Sequence, residues 1–221
     1  MMQQVNVLVG GPGEFLPEDV FTRAGQWLGV DGGAVTLAQH HRKMIAAIGD
    51  FDTAGRMGWA VEQVSSWANL LVQAPPEKDD TDTELALRWL ATTMPEAAIT
   101  VYGATGGRLD HLLANILFPL RPEFRQLASH VTLRDRQNVV RFYLPGTHKL
   151  VPEDQARYLA VIPLMPVTGL TLRGLKYPLT EAHFSTARAL VSNEFSAPTA
   201  QLSFTQGVVG VIQSRDLSNY G

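Results

Sequence analysis

Apolar and polar positions follow two different periods along the chain. Up to about residue 120, short apolar runs alternate with stretches of helical spacing. The runs Val5–Val9, Gln26–Val30, Met44–Ile48, Asn69–Gln73 and Ile99–Tyr102 read as strands. Helical patterns fill the gaps over 17–25, 34–41, 57–67, 82–93 and 108–118. Strands alternating with helices predict a mostly parallel sheet covered on both faces. Within 108–118, Leu109, Leu112, Leu113, Ile116 and Leu117 form a stripe expected to face the core.

Beyond about Arg121 the period shortens. Val131–Arg134, Val139–Tyr143, Tyr158–Leu164, Leu170–Arg173, Ala189–Val191, Gln201–Phe204 and Val208–Ile212 are β-type runs. Pro-Gly-Thr, Pro-Glu-Asp and Gln-Gly turns lie between them. Closely spaced short strands with turn signals predict an all-β, sandwich-like half. The expected fold is an α/β N-terminal domain over residues 1–125 and a C-terminal β-sandwich over 126–221.

Composition narrows the chemistry. The 221 residues suffice for one large or two small domains. A net charge of −3 gives no general attraction to nucleic acid or anionic membrane. The absence of cysteine excludes disulfides, thiolate metal sites and cysteine nucleophiles. Met1 through Gly10 has no basic leader and reads as a first strand, and no apolar run is long enough to span a bilayer. A cytoplasmic protein is expected.

Glycine and acid concentrate where the strands end. Asp31-Gly32-Gly33, Gly49-Asp50-Phe51-Asp52 and Lys78-Asp79-Asp80-Thr81-Asp82 each follow a predicted strand. In open α/β sheets, ligands bind beyond the carboxyl ends of the strands. Carboxylates gathered there would repel one another unless a cation lay between them. Oxygen-only ligands favour Mg²⁺ delivered with phosphates. Thr81-Asp82-Thr83-Glu84 also fits a helix capping box, and both roles can coexist. After the fifth run, Gly103-Ala104-Thr105-Gly106-Gly107-Arg108 leads into a helix whose N-terminus suits a phosphate. Arg108 adds a fork that grips phosphate oxygens. His111 and Asn115 share one helix face. Gly10-Gly11-Pro12-Gly13 is only a glycine-rich turn, and no Gly-x-x-x-x-Gly-Lys-Ser/Thr phosphate loop is present.

Taken in order, Val30–Ala34, Gly49–Thr53, Lys78–Asp82, Gly103–His111 through Asn115, and Ser192-Asn193-Glu194-Phe195 resemble the thiamine pyrophosphokinase family. The resemblance implies transfer of a pyrophosphoryl group from ATP to thiamine, giving thiamine diphosphate and AMP. It implies a homodimer. It makes Asp50, Asp52 and Asp82, with Asp79 alongside, the Mg²⁺ ligands. Asp79, Asp82 and Arg108 become the catalytic candidates. Asp31, Gly32, Gly33, Thr105, Gly107, Arg108, Asp110 and Asn115 would hold the nucleotide, and Ser192 and Asn193 would lie near thiamine in a pocket shared between subunits. Some members stack a final-strand tryptophan on thiamine; here Gly207–Ile212 has none.

Two rivals stand beside this reading. Phosphatases of the haloacid-dehalogenase type also use Asp-x-Asp after a strand. They place Thr or Val two residues beyond the second Asp, whereas Thr53 follows Asp52 directly. Their nucleophilic strand is usually the first, not the third. A nucleotide- or vitamin-binding regulator without turnover is the non-enzymatic alternative, although a binder needs fewer charges than four aspartates.

Overall fold

The computed structural model describes residues 3–75 and 79–216. Pro76 of the turn after the fourth run and Lys78 of the acidic motif lie outside the described residues, as do Met1, Met2 and 217–221. The chain forms two compact units. One comprises Met1–Phe118 with Leu133–Arg136, the other Pro119–Thr132 with Gln137–Gly221. The chain passes between them more than once, so one boundary near residue 125 does not express the division.

The first unit is built on parallel strands β1 (Gln4–Leu8), β2 (Gln26–Val30), β3 (Ala46–Gly49), β4 (Leu71–Gln73) and β5 (Ala98–Tyr102), in the order β5-β1-β2-β3-β4. Their near-continuous apolar sequences match burial on both faces: Val5, Val7, Leu28, Ala46, Ala47 and Val101 have no accessible surface. The order reverses at β1, which lies between β5 and β2. The cleft beyond its carboxyl end is the switch point where such sheets bind ligands.

The helices are α1 (Gly32–Gln39), α2 (Asp52–Arg56), α3 (Val61–Ser65), α4 (Asp82–Thr93) and α5 (Leu109–Leu117). The helix expected over 17–25 is absent. Pro17 and Gly25 bracket too short a segment, and only a three-residue 3₁₀ turn forms at Val20–Thr22. The helix expected over 57–67 contracts to α3, while α2 forms ahead of it at the acidic motif. In α4 the predicted capping box is realised: Thr81 N–H donates to Glu84 Oε2 at 2.8 Å, and Glu84 N–H to Thr81 Oγ1 at 3.2 Å.

The expected burial of the α5 stripe fails at three of its five residues, while Leu112 and Ile116 are half-buried. Leu109, Leu113 and Leu117 are 68%, 50% and 43% exposed. The buried residue of α5 is Asn115, whose amide donates to the Ala104 carbonyl at 3.0 Å. Helical spacing shows that these leucines share a face, but not what that face meets.

The second unit begins with the short helix α6 (Arg125–Ala128), and β6 (Val131–Arg134) crosses the division. Its strands are β7 (Asn138–Tyr143), β8 (Gly146–Leu150), β9 (Tyr158–Pro163), β10 (Val167–Arg173), β11 (Leu179–Phe184), β12 (Leu190–Asn193), β13 (Ala200–Phe204) and β14 (Val209–Ser214). All pair antiparallel, as β12-β9-β14-β7 and β11-β10-β13-β8. Leu159, Val161, Val209 and Val211 of the first set share one core with Leu170, Leu172, Leu202 and Phe204 of the second. This is the sandwich that alternating burial such as BiBiB in β13 requires.

Candidate active site

The carboxyl ends of β1, β2, β3 and β5 open into a cleft of about 640 Å³. Val9–Pro12, Asp31, Asp50, Asp52, Thr53, Arg56, Thr81–Thr83, Gly107, Arg108, His111 and Asn115 belong to its lining. Tight backbone contact makes it possible. A Cβ on Gly11 would stand 1.9 Å from the Gly103 carbonyl oxygen, and one on Gly33 would stand 2.1 Å from that of Leu8. Only glycine lets these turns approach so closely. The Gly10-Gly11-Pro12 turn, weak as a sequence signal, is thus a wall of the site.

Three carboxylates meet in the cleft. One oxygen from each of Asp31, Asp50 and Asp52 lies within 4.8 Å of the others. Asp31 and Asp50 follow adjacent strands β2 and β3, which pair in register from Leu28 with Ala46 to Val30 with Ile48. Two residues are held at positive φ where these groups are presented: Asp31 at φ 46° and Phe51, in the left-handed conformation, at φ 59°. Such conformations cost free energy in non-glycine residues and cluster where function demands them. Asp50 Oδ1 accepts the Asp52 N–H at 3.1 Å, which closes the turn into α2. Asp52 accepts from Arg56 at 2.9 and 3.0 Å and from the Thr53 hydroxyl at 3.0 Å.

Asp31 Oδ1 is buried with no hydrogen-bond donor. A buried carboxylate oxygen left unpaired is costly, and a cation among the three carboxylates would satisfy it. An all-oxygen donor set fits a hard divalent ion.

The remaining expected residues divide clearly. Asp82 lines the cleft from the first turn of α4. Asp79 is exposed and outside the lining, while Asp80 turns to Arg88 at 2.8 Å. Asp31, Gly107, Arg108 and Asn115 line the cleft. Gly32 and Gly33 are buried in the first turn of α1, where their part is steric. The Thr105 hydroxyl donates to Asp135 at 2.6 Å, a partner 30 residues away that local pattern could not reveal. Arg108 pairs with Asp110 at 2.5 Å. That hydrogen bond holds the Asp110 carboxyl below its ordinary range and raises the guanidinium. Both are surface groups, so salt screens the pair. Thr53, Arg56 and Asp135 were not anticipated from sequence.

In the second unit, Ser192 is exposed at φ 60°, at an irregularity of edge strand β12. Asn193 is 5% exposed, and its amide spans the Tyr177 backbone. Its Oδ1 accepts the Tyr177 N–H at 2.9 Å and its Nδ2 donates to the Tyr177 carbonyl at 3.0 Å. This side chain braces the loop beside Ser192.

Comparison with known proteins agrees with this geometry. Residues 18–131 match the family model described as thiamin pyrophosphokinase, catalytic domain, and residues 147–209 match its vitamin B1 binding domain. Thiamine pyrophosphokinase of Bacillus subtilis is 33% identical, over 97% of this chain and all of its own. The crystal structure of a thiamin pyrophosphokinase family protein from Enterococcus faecalis superposes with a TM-score of 0.90 at 39% identity, covering 97% of this chain and 100% of that one. That of thiamin pyrophosphokinase from Geobacillus thermodenitrificans gives 0.79 at 33% identity, over 98% and 99%. The phosphatase and the non-catalytic regulator find no support here. With both domains matched in order along one chain, the protein belongs to the thiamin pyrophosphokinase family and is an enzyme of that class.

Proposed function

We propose that the cleft transfers the terminal pyrophosphoryl group of ATP to thiamine, with Mg²⁺ held by Asp31, Asp50 and Asp52. The unpaired Asp31 Oδ1, on a carboxylate that meets two others in the cleft, is the observation that carries this reading. The thiamine hydroxyethyl oxygen forms a bond to the β-phosphorus. The bond from that phosphorus to the oxygen bridging it to the α-phosphorus breaks, and this oxygen leaves with AMP. The hydroxyl proton goes to a carboxylate. Asp82 lines the cleft and Asp79 does not, so we assign the proton to Asp82. Bound Mg²⁺ would offset the charge that develops on the phosphate oxygens.

The protein's own share is position and charge. Arg108 and the N-terminus of α5 face the phosphates, and the Gly10-Gly11-Pro12 turn lets them approach the backbone. Asn115 keeps the Gly103–Arg108 turn in place through Ala104. Ser192 contacts thiamine, and Asn193 braces the neighbouring loop. A cytoplasmic homodimer completes the reading, tested by sedimentation and by cell fractionation.

The deciding assay supplies ATP, Mg²⁺ and thiamine and follows AMP and thiamine diphosphate together. Equal release of both products is expected. Asp52→Asn should abolish turnover with the fold intact by circular dichroism; an active Asp52→Asn enzyme sinks the metal assignment.

A further inference from the structure

Arg56 has no place in the reading so far, yet it lines the cleft. It closes α2, four residues after Asp52, so its side chain reaches back along the helix to that carboxylate. Nη2 bonds both Asp52 oxygens, at 2.9 and 3.0 Å, and Thr53 Oγ1 at 3.0 Å. On an ordinary helix surface, a pair with side chains 71% and 61% exposed would contribute little. Here its anion is one of the three carboxylates that converge within 4.8 Å. A guanidinium and a divalent cation cannot both sit closely on one carboxylate without repelling each other. The Arg56 side chain is long and exposed, so its head group can reach other partners in the cleft. The phosphates of a nucleotide in this cleft would offer it a better-matched bidentate partner.

We propose that Arg56 is an exchangeable counter-ion. It neutralises Asp52 while the cleft is empty and moves to the nucleotide phosphates when the divalent cation engages Asp31, Asp50 and Asp52. The inference rests on the metal reading above. It adds a phosphate-binding residue and an order of events: cation and nucleotide enter together, because each frees the partner that the other needs. Arg56 thus opposes binding of the bare cation and favours binding of the cation–nucleotide complex.

The test measures two affinities that must move in opposite directions. Mn²⁺ binding without nucleotide is followed by electron paramagnetic resonance, and KM for the Mg²⁺–ATP complex by the product assay. For Arg56→Gln, Mn²⁺ should bind about threefold tighter, the worth of a lost exposed pair. KM should rise about tenfold, the worth of a lost charge-assisted bond. Arg56→Lys, which keeps charge without the fork, should hold Mn²⁺ affinity near that of the wild type and recover part of KM. Unchanged or weaker Mn²⁺ binding in Arg56→Gln, or an unchanged KM, overturns the proposal. Wild-type protein that binds no Mn²⁺ overturns the metal reading itself, and this proposal with it.

Discussion

Two acidic segments of the first unit carry almost the same composition and come to different ends. Asp31 with Asp50-Phe51-Asp52 supplies three carboxylates from the ends of two neighbouring parallel strands. Asp79-Asp80-Thr81-Asp82 supplies three from a single helix start. In the first group oxygens of the three residues converge, and Asp31 carries an oxygen that is buried without a donor. In the second, Asp80 pairs with Arg88, Thr81 closes a capping box with Glu84, and Asp82 is the aspartate that lines the cleft. A run of acids along one helix start spreads its side chains around the axis. Acids on adjacent strand ends are set side by side by the ladder, about 4.8 Å apart. The lesson is that strand adjacency, more than acid density, makes carboxylates converge.

Substitutions can break or sharpen that contrast. Asp31→Asn should lose more than the roughly 100-fold in turnover that removal of an outer-shell partner costs at metal sites. It should also weaken Mn²⁺ binding. Near-normal activity would return Asp31 to a merely nucleotide-facing role. Asp82→Asn should reduce kcat by about 100-fold, the low end of a proton-acceptor effect, while Mn²⁺ affinity stays near wild type. A collapse of Mn²⁺ binding in that variant would move Asp82 into the ligand set and erase the contrast.

Thr81→Ala should cost about 1 kcal/mol of stability through loss of the cap. That corresponds to a fall of about 2–4 °C in Tm, read by thermal unfolding. An effect on activity alone would mean that Thr81 serves the cleft and not the helix. Asp79→Asn should change turnover and stability least, by about twofold or less, as for other exposed charges. A large loss would restore it as ligand or base.

Much of the local structure was legible along the chain. The strands of the first unit announced themselves as short apolar runs, four of the five ending in glycine or acid, and α4 matched the expected 82–93 because its cap is a local motif. The Gly103–Arg108 turn and its helix were also readable, because a turn and an N-terminus involve only neighbours. Burial was less so. Leu109, Leu113 and Leu117 of α5 obey helical spacing yet face outward, and Asn115 turns inward to a carbonyl 11 residues away. The Asn193 amide bonds the Tyr177 backbone 16 residues away through both of its ends, a pairing that no local period records.

By itself, then, the sequence determined the two-part architecture, the capped helix, the glycines that permit close turns and the pool of acids. Those features depend on residues within a few positions of one another. Tertiary structure alone decided that Asp31 joins Asp50 and Asp52 and that Thr105 meets Asp135. Each of these depends on which strand lies beside which, or on which way a loop end points. The pairing of β2 with β3 brings together acids 19 residues apart, and no local period records that distance.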